Sequence, residues 1–554
     1  MLILEGMGTS RGIADGKILI IESEDNPPKI LDAVNCDEEL QKFYTAKEFA
    51  KSQLTALCQQ ASHEVGDETA TIFEIHVMML NDTDFQEAVE ARIREHHNSA
   101  EYAVYLVGRE FARNFSEMND SYMKERAADV IDISHRIIHI LTGSSEKPLE
   151  NMPGKVVIAA EDLMPSQTVR LDKDKIVAFI TRNGSQASHS SILARSLGIP
   201  SVAALGTGFA KLNNGDYVIV DGSDGTVIID PDVIINAQYT VKKHSMTEHE
   251  EKLKALKGTP AQTKDGYKIE LYANIGHPHD ILSVLENDAE GIGLFRSEFL
   301  FLGRNDFPAE EVQCEAYASV LEKMGGKRVV VRTLDLGADK QASYLNIPCE
   351  DNPAMGYRAI RMQLDQTDLF ITQLRALYRA SVHGRLAIMF PMVTSVNEVQ
   401  LIKKLCEEVK KDLTQEGIPF SDCVELGIMV ETPAAALTAD RLAAEVDFFS
   451  IGTNDLTQYT LAADRMNSKV AYLYDCGHPA VLRMIRYITE QAHRHGIWVG
   501  ICGESASDLD LTQYYLRFGV DELSVSPPAV LELKEKIQSL ELTTLMESID
   551  NTLD

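Results

Sequence analysis

From Leu31 to Thr142 the chain has no proline, and its only glycines there are Gly66 and Gly108. A stretch so short of turn formers excludes a domain of many brief strands and tight turns, and leaves helices. Basic charge is scarce too: 53 Lys and Arg stand against 84 Asp and Glu, a net charge of −31. Nucleic acid and anionic membrane surfaces both reward a basic surface, so neither is expected as a partner. A basic protein partner suits this balance, and any anionic substrate must be drawn in by local cations. The eight cysteines, at 36, 58, 314, 349, 406, 423, 476 and 502, form no CxxC pair and no dense framework. Free thiols in a reducing cytosol are expected. No apolar run approaches the roughly 20 residues that span a bilayer. The opening MLILEGMGTSRGIADG lacks the basic start and long apolar core of a signal peptide. A cytoplasmic protein without membrane insertion is the expectation.

The 554 residues are 44% hydrophobic and 25% charged. This is an ordinary globular balance, and the length suits three or four domains. Within the proline-free stretch, apolar residues recur at helical spacing: Leu40, Phe43, Leu54 and Leu57; Ile72, Phe73, His76, Met79 and Leu80; Val130, Ile133, Ile137 and Ile140. About four helices are predicted. Residues 1–22 are Gly-rich, with one short strand at Ile18 to Ile21. Strands return at Lys155–Ala159, Lys175–Ile180, Tyr217–Asp221 and Thr226–Ile229, a small α/β domain that the first strand can join. The helical region is then an insertion. The charged stretch Val241 to Lys257 reads as a linking helix.

Beyond about Thr259, eight apolar runs alternate with amphipathic stretches: 269–274, 291–295, 328–332, 386–390, 425–430, 447–451, 497–501 and 521–525. Eight strands in this length predict a (β/α)8 barrel, with an open doubly wound sheet as the alternative. Polar residues follow the runs: Arg296, Arg332, Glu431, Asn454 with Asp455, and Cys502. A barrel places its chemistry at the C-terminal ends of its strands, and a core alone does not require charges there.

The segment Ser188-His189-Ser190-Ser191-Ile192-Leu193-Ala194-Arg195-Ser196-Leu197-Gly198-Ile199-Pro200 reads as a short helix stopped by Gly198 and Pro200, with Ser188 as its cap. His189 then sits in the first turn, where free amides and the positive helix end favour a phosphoryl group. Imidazole is a nucleophile at neutral pH and a good leaving group once phosphorylated. Among 15 histidines, a capping or core role is the plainer reading of any one. Here a resemblance enters. Asn183-Gly184-Ser185-Gln186-Ala187-Ser188-His189 is similar to the G-G-x-T-S-H motif of phosphohistidine domains. Asp162-Leu163-Met164-Pro165-Ser166-Gln167-Thr168 resembles the D-L-x-P-S-x-T segment of enzyme I of the bacterial sugar phosphotransferase system. Ser185, Gln186 and Ala187 depart from the usual glycine, basic residue and threonine.

Barrel segments resemble the same family in the same order. They are Gly291-Ile292-Gly293-Leu294-Phe295-Arg296-Ser297-Glu298-Phe299, Val331-Arg332-Thr333-Leu334-Asp335, Val430-Glu431-Thr432-Pro433-Ala434-Ala435-Ala436, Ser450-Ile451-Gly452-Thr453-Asn454-Asp455-Leu456-Thr457-Gln458-Tyr459, Asp464-Arg465 and Gly500-Ile501-Cys502-Gly503-Glu504. Phosphoenolpyruvate carries a phosphate and a carboxylate, both of which guanidinium groups pair in bidentate fashion. Mg²⁺ takes one or two carboxylates and completes its shell with substrate and water. The resemblance implies that Arg296, Arg332 and Arg465 clamp the substrate with Asn454, and that Glu431 and Asp455 ligate Mg²⁺. It makes Asp455 part of the substrate site as well, Cys502 the proton donor to C3 of the enolate, and Thr168, Lys340 and Arg358 supporting residues.

The implied architecture is a multidomain α/β chain. Residues 1–22 and 144–232 form a small phosphohistidine α/β domain, interrupted by a helical bundle, 23–143, that binds the phosphocarrier protein HPr. A linker helix occupies 233–258, and a C-terminal TIM barrel, 259–554, binds phosphoenolpyruvate and forms a homodimer. The implied activity is phosphoryl transfer from phosphoenolpyruvate through His189 to HPr. Pyruvate phosphate dikinases and phosphoenolpyruvate synthases share two of these parts but need a nucleotide-grasping domain, and the short helical stretch 31–142 lacks a Gly-rich phosphate loop. A nitrogen-linked paralogue carries a sensory domain for which residues 1–22 leave no room. A non-catalytic scaffold does not require His189, three arginines, two carboxylates and Cys502 together.

Overall fold

The computed structural model describes residues 1–21, 27–28, 35–64, 75–117, 121–143, 154–163, 175–186, 188–302, 306–337, 343–345, 347, 350–467 and 469–543, with the backbone alone at 57, 59–64, 117, 121–125, 189, 196 and 343. Thr168 and Lys340 lie outside the described residues. The chain divides into two compact units, Met1–His249 and Glu250–Asp554.

The first unit is built on an eight-stranded sheet: β1 (Leu2–Glu5), β2 (Met7–Ser10), β3 (Ile13–Ile21), β4 (Val156–Ala160), β5 (Ile176–Thr181), β6 (Ser201–Ala203), β7 (Tyr217–Asp221) and β8 (Thr226–Ile229), in the order β1-β8-β7-β3-β4-β5-β6-β2. β3 and β4 are adjacent and parallel, so the chain leaves the sheet after β3 and returns beside it. Among the described residues four helices lie between: Cys36–Glu64, Thr83–His96, Ala100–Glu117 and Ser121–Thr142. They bury their own core, with Phe43, Leu54, Val89, Ile93, Val104 and Ile137 at its centre. This is the inserted bundle that the turn-poor stretch predicts.

Three differences have physical causes. The first ten residues form two strands where a Gly-rich opening was expected. Those glycines serve close backbone packing, since a Cβ on Gly8 would collide with Gly222 O and one on Gly6 would lie 2.8 Å from Val202. β6, only three residues long, carries no periodicity to read. The linking helix starts eight residues early, spanning Val233–Ala255. Asp232 Oδ1 accepts from the amides of Ile234 and Ile235 at 3.0 and 2.9 Å, an N-cap that starts it.

In the second unit eight parallel strands close into a barrel: β9 (Glu270–Ile275), β10 (Gly291–Arg296), β11 (Val329–Arg332), β12 (Leu386–Phe390), β13 (Glu425–Val430), β14 (Phe448–Ile451), β15 (Trp498–Ile501) and β16 (Glu522–Val525). Each lies within a residue of an apolar run. Alternation sorts their side chains. Val329, Val331, Ile388, Ile428, Phe449, Val499 and Leu523 belong to the large core shared with the helices. Leu294, Val330, Ala387, Met389, Met429, Phe448 and Cys502 form a separate cluster inside the barrel. The second set puts Arg332 and Cys502 at the C-terminal mouth of the same interior.

Candidate active site

β10 and β11 end on arginines that are partners in register, Arg296 and Arg332. They are held differently. Arg296 is exposed, and among the described residues it has no ion-pair or hydrogen-bond partner. Arg332 is only 9% exposed. Its Nη2 donates to Glu298 Oε1 and its Nη1 lies 3.0 Å from Asp335 Oδ2. Arg358 reaches the other oxygen of Asp335 at 2.8 Å. Burial alone would lower the pKa of Arg332. The carboxylates of Glu298, Asp335 and Glu431 outweigh it and hold the guanidinium charged. Arg358 is likewise raised, against the effect of burial, chiefly by Asp335 and then by Asp455.

Glu431 stands just beyond β13, 1% exposed, with Oε1 accepting from the Met392 amide at 2.6 Å. Its pKa is pushed well above the usual carboxylate range, first by burial, then by the carboxylates of Asp455 and Asp335, with Arg332 opposing. A Cβ on Gly452 would lie 2.8 Å from Glu431 Oε2, so the glycine after β14 makes room for this carboxylate. Asp455 lies in the first turn of the helix Thr453–Leu461. Crowded carboxylates with too little positive charge between them fit a hard divalent cation. Among the described residues no group of three or more His, Cys, Asp or Glu side chains suits a metal. Glu431 and Asp455 are the two carboxylates that could hold such an ion, with substrate and water completing its shell.

Asn454 is fixed against the loop after β15: its Oδ1 accepts from the Glu504 amide at 2.9 Å and its Nδ2 donates to Glu504 Oε1 at 3.3 Å. Arg465 approaches the same carboxylate, at 3.6 Å. Cys502 follows β15, 3% exposed, with its thiol 3.8 Å from Ile451 O. Burial pushes that thiol up to about 12. Glu522 and Glu431 add to the effect, and Ser450 and Arg332 oppose it. The thiol is thus neutral at ordinary pH.

The barrel mouth brings together Arg332, Arg358, Glu431 and Asp455 through mutual electrostatics, and Asn454 and Arg465 through Glu504. Arg296 joins by register. The sequence reading missed Glu298, Asp335 and Glu504, the carboxylates that orient the arginines and Asn454. Each lies two or three residues from a predicted site residue, and spacing alone does not show which neighbour bends back to pair. Among the described residues all seven cysteines are free.

In the other unit, His189 is the first residue of the helix His189–Leu197, which Gly198 ends in the left-handed region at φ 65°. Ser188 occupies the N-cap position with extended backbone but makes no side-chain cap. Its hydroxyl pairs instead with Ser185 O and Ser191 Oγ, both at 2.9 Å. This corrects the expectation that Ser188 caps the helix, and the hydroxyl network leaves the first-turn amides unclaimed by Ser188.

Three domain families of PEP-utilising enzymes match in sequence: the N-terminal domain over residues 5–126, the mobile domain over 152–225 and the PEP-binding domain over 250–542. A phosphoenolpyruvate-protein phosphotransferase of Bacillus sp. (strain S) is 44% identical over 97% of this chain and 93% of its own length. One from Staphylococcus aureus is 43% identical over 100% of this chain and 97% of its own. A solution structure of enzyme I (nEIt) shares 36% identity over 44% of this chain and 99% of that one, with a TM-score of 0.37. Matched over nearly its whole length, with charged residues gathered at the mouth of a PEP-binding barrel, the chain belongs to the phosphoenolpyruvate-protein phosphotransferases.

Proposed function

We propose that this chain moves the phosphoryl group of phosphoenolpyruvate through His189 to the carrier protein HPr, releasing pyruvate, as the first step of sugar uptake by a phosphotransferase system. The observation that carries the reading is the pairing in register of an exposed and a buried arginine, with the buried one acting on Glu431, whose pKa Asp455 helps to raise. Arg296 and Arg465 are able to turn toward an incoming phosphate and carboxylate. Arg332, locked by Glu298 and Asp335, presents a fixed charge, and Asn454 orients the substrate from the next loop. Arg358 keeps Asp335 in place, and Thr168 and Lys340 keep the supporting roles implied by the family motif.

Glu431 and Asp455 would hold Mg²⁺, which when bound neutralises phosphate charge at the barrel mouth. A ring nitrogen of His189 attacks phosphorus in line, the bond from phosphorus to the enol oxygen breaks, and pyruvate leaves as an enolate. Cys502 protonates C3. Positioning and charge neutralisation supply most of the catalysis in such transfers. HPr then takes the phosphoryl group. We assign residues 1–22 and 144–232 to the phosphohistidine domain, 23–143 to HPr docking, 233–258 to the linker and 259–554 to substrate binding and homodimer formation. The place of action is the cytoplasm. No described helix is long and apolar enough to cross a membrane.

The test is incubation with labelled phosphoenolpyruvate and Mg²⁺, with and without HPr. Wild type forms an acid-labile, base-stable phosphoenzyme that HPr discharges. His189→Ala forms none and keeps its circular dichroism and melting temperature. Stoichiometric labelling of His189→Ala would place the carrier elsewhere and end this reading.

A further inference from the structure

Glu522 opens β16 and is 1% exposed. Glycines on two other strands, Gly293 on β10 and Gly500 on the adjacent β15, leave room for it: a Cβ on Gly293 would collide with its Oε1, and one on Gly500 with its Oε2. Oε1 has no hydrogen-bond partner among the described residues. A carboxyl kept this way costs stability in either charge state, and far more when ionised. Barrel interiors are ordinarily filled by apolar side chains, so two glycines arranged around a carboxyl point to use.

Its surroundings suggest the use. Gly500, on β15, lies two residues before Cys502 on the same interior face, so the carboxyl takes the interior place one step below that cysteine. Ser524, two residues after Glu522, donates to Asn274 Oδ1 at 2.6 Å, and Asn274 Nδ2 donates to Cys502 O at 3.2 Å. The hydroxyl of Ser450 faces the thiol. The charged groups acting on Glu522 are Glu270, its partner in register on β9, Arg328 before β11, and Asp521 beside it. Burial is the main reason its pKa stands well above the usual carboxylate range. Glu270 adds to this, Arg328 opposes it, and Asp521 adds a little more.

We propose that Glu522 is a positioning residue for the proton, a carboxyl in the barrel core that reprotonates Cys502 after each turnover. The proposal rests on Cys502 as proton donor. Cys502 gives its thiol proton to C3 of the enolate and becomes a thiolate. The O–H bond of Glu522 breaks, its proton passes to sulfur, and the carboxylate recovers a proton from water on the side of Glu270, whose side chain is 55% exposed. No electrons change hands.

The experiment compares Glu522→Gln, Glu522→Asp, Cys502→Ala and the double variant Cys502→Ala/Glu522→Gln in turnover of phosphoenolpyruvate with excess HPr. Glu522→Gln is expected to lose about tenfold or more in kcat, less than the roughly 10²–10⁴-fold of a direct general acid because the carboxyl acts through the thiol, with KM unchanged and melting no earlier than wild type. Glu522→Asp, still an acid, retains more activity than the isosteric Gln. The double variant is no slower than Cys502→Ala alone, because the carboxyl acts through the thiol. A Gln variant within twofold of wild type, one faster than Asp, or one that only melts earlier assigns Glu522 to packing and overturns the proposal. Infrared spectra give an independent check: wild type should show a protonated-carboxyl carbonyl band that shifts in Glu522→Asp, and its absence also overturns it. Full turnover and normal deuterium incorporation at C3 in Cys502→Ala would instead remove the reading of Cys502 itself.

Discussion

Arg296 and Arg332 face each other in register, and removing them should have different consequences. Arg332 lies between Glu298 and Asp335, both buried. Taking one partner from a buried ionic group leaves charge uncompensated, at a cost of about 3–5 kcal/mol. Arg332→Ala should therefore lower the melting temperature along with activity. Arg296 is exposed and holds no described partner, so Arg296→Ala should change stability by no more than about 0.5 kcal/mol, the range for surface substitutions. It should still raise KM for phosphoenolpyruvate by tenfold or more, because a charge-assisted pair with substrate contributes roughly 1.5–3 kcal/mol. Thermal melts beside initial rates decide it. Equal destabilisation by the two variants would mean that Arg296 is a structural residue.

At the scale of elements, the barrel was legible because each strand coincides with an apolar run, and several of these runs end on or just before a polar residue. Glu425–Val430 followed by Glu431 shows both signals. The inserted bundle was legible from what it lacks. β1, β2 and β6 were not, because they are short and their glycines answer to backbones from distant strands. The same limit applied in the site. Arg332 and Glu431 could be picked out at strand ends, but the partners that fix them, Glu298 and Asp335 for the arginine and the Met392 amide for the carboxylate, come from other turns. Gly452 turns this into a prediction. Its φ of −82° suits any residue, yet an added Cβ would press on Glu431 Oε2 and Cβ, at 2.8 and 2.9 Å. Gly452→Ala should keep the fold and displace the carboxylate, raising the Mg²⁺ concentration for half-maximal phosphorylation about tenfold, on the scale of losses when a ligand's support is disturbed. An unchanged Mg²⁺ titration would show that Glu431 relaxes without loss or is not a ligand.

At the scale of the whole molecule, the candidate groups fall in different units: His189 within Met1–His249, and the arginines, carboxylates and Cys502 within Glu250–Asp554. The two half-reactions should then be separable by substitution in the intact protein. On the proposed mechanism, phosphoenolpyruvate has to meet the barrel mouth and His189 together, whereas phospho-HPr needs only the histidine and its docking surface. Glu431→Ala and Asp455→Ala should each lower phosphorylation by phosphoenolpyruvate by ~10²-fold or more, the scale for losing one preorganised electrostatic contact to a transferring group. Both should accept phosphate from phospho-HPr at the wild-type rate, and with Mg²⁺ removed by a chelator the wild type should behave as they do. Labelled phospho-HPr and labelled phosphoenolpyruvate, run on the same preparations, measure both arms. Loss of the reverse arm in variants that melt normally would mean that the carboxylates act on His189 itself. The division of labour between the units would then have to be redrawn, with part of the transfer chemistry shared between them.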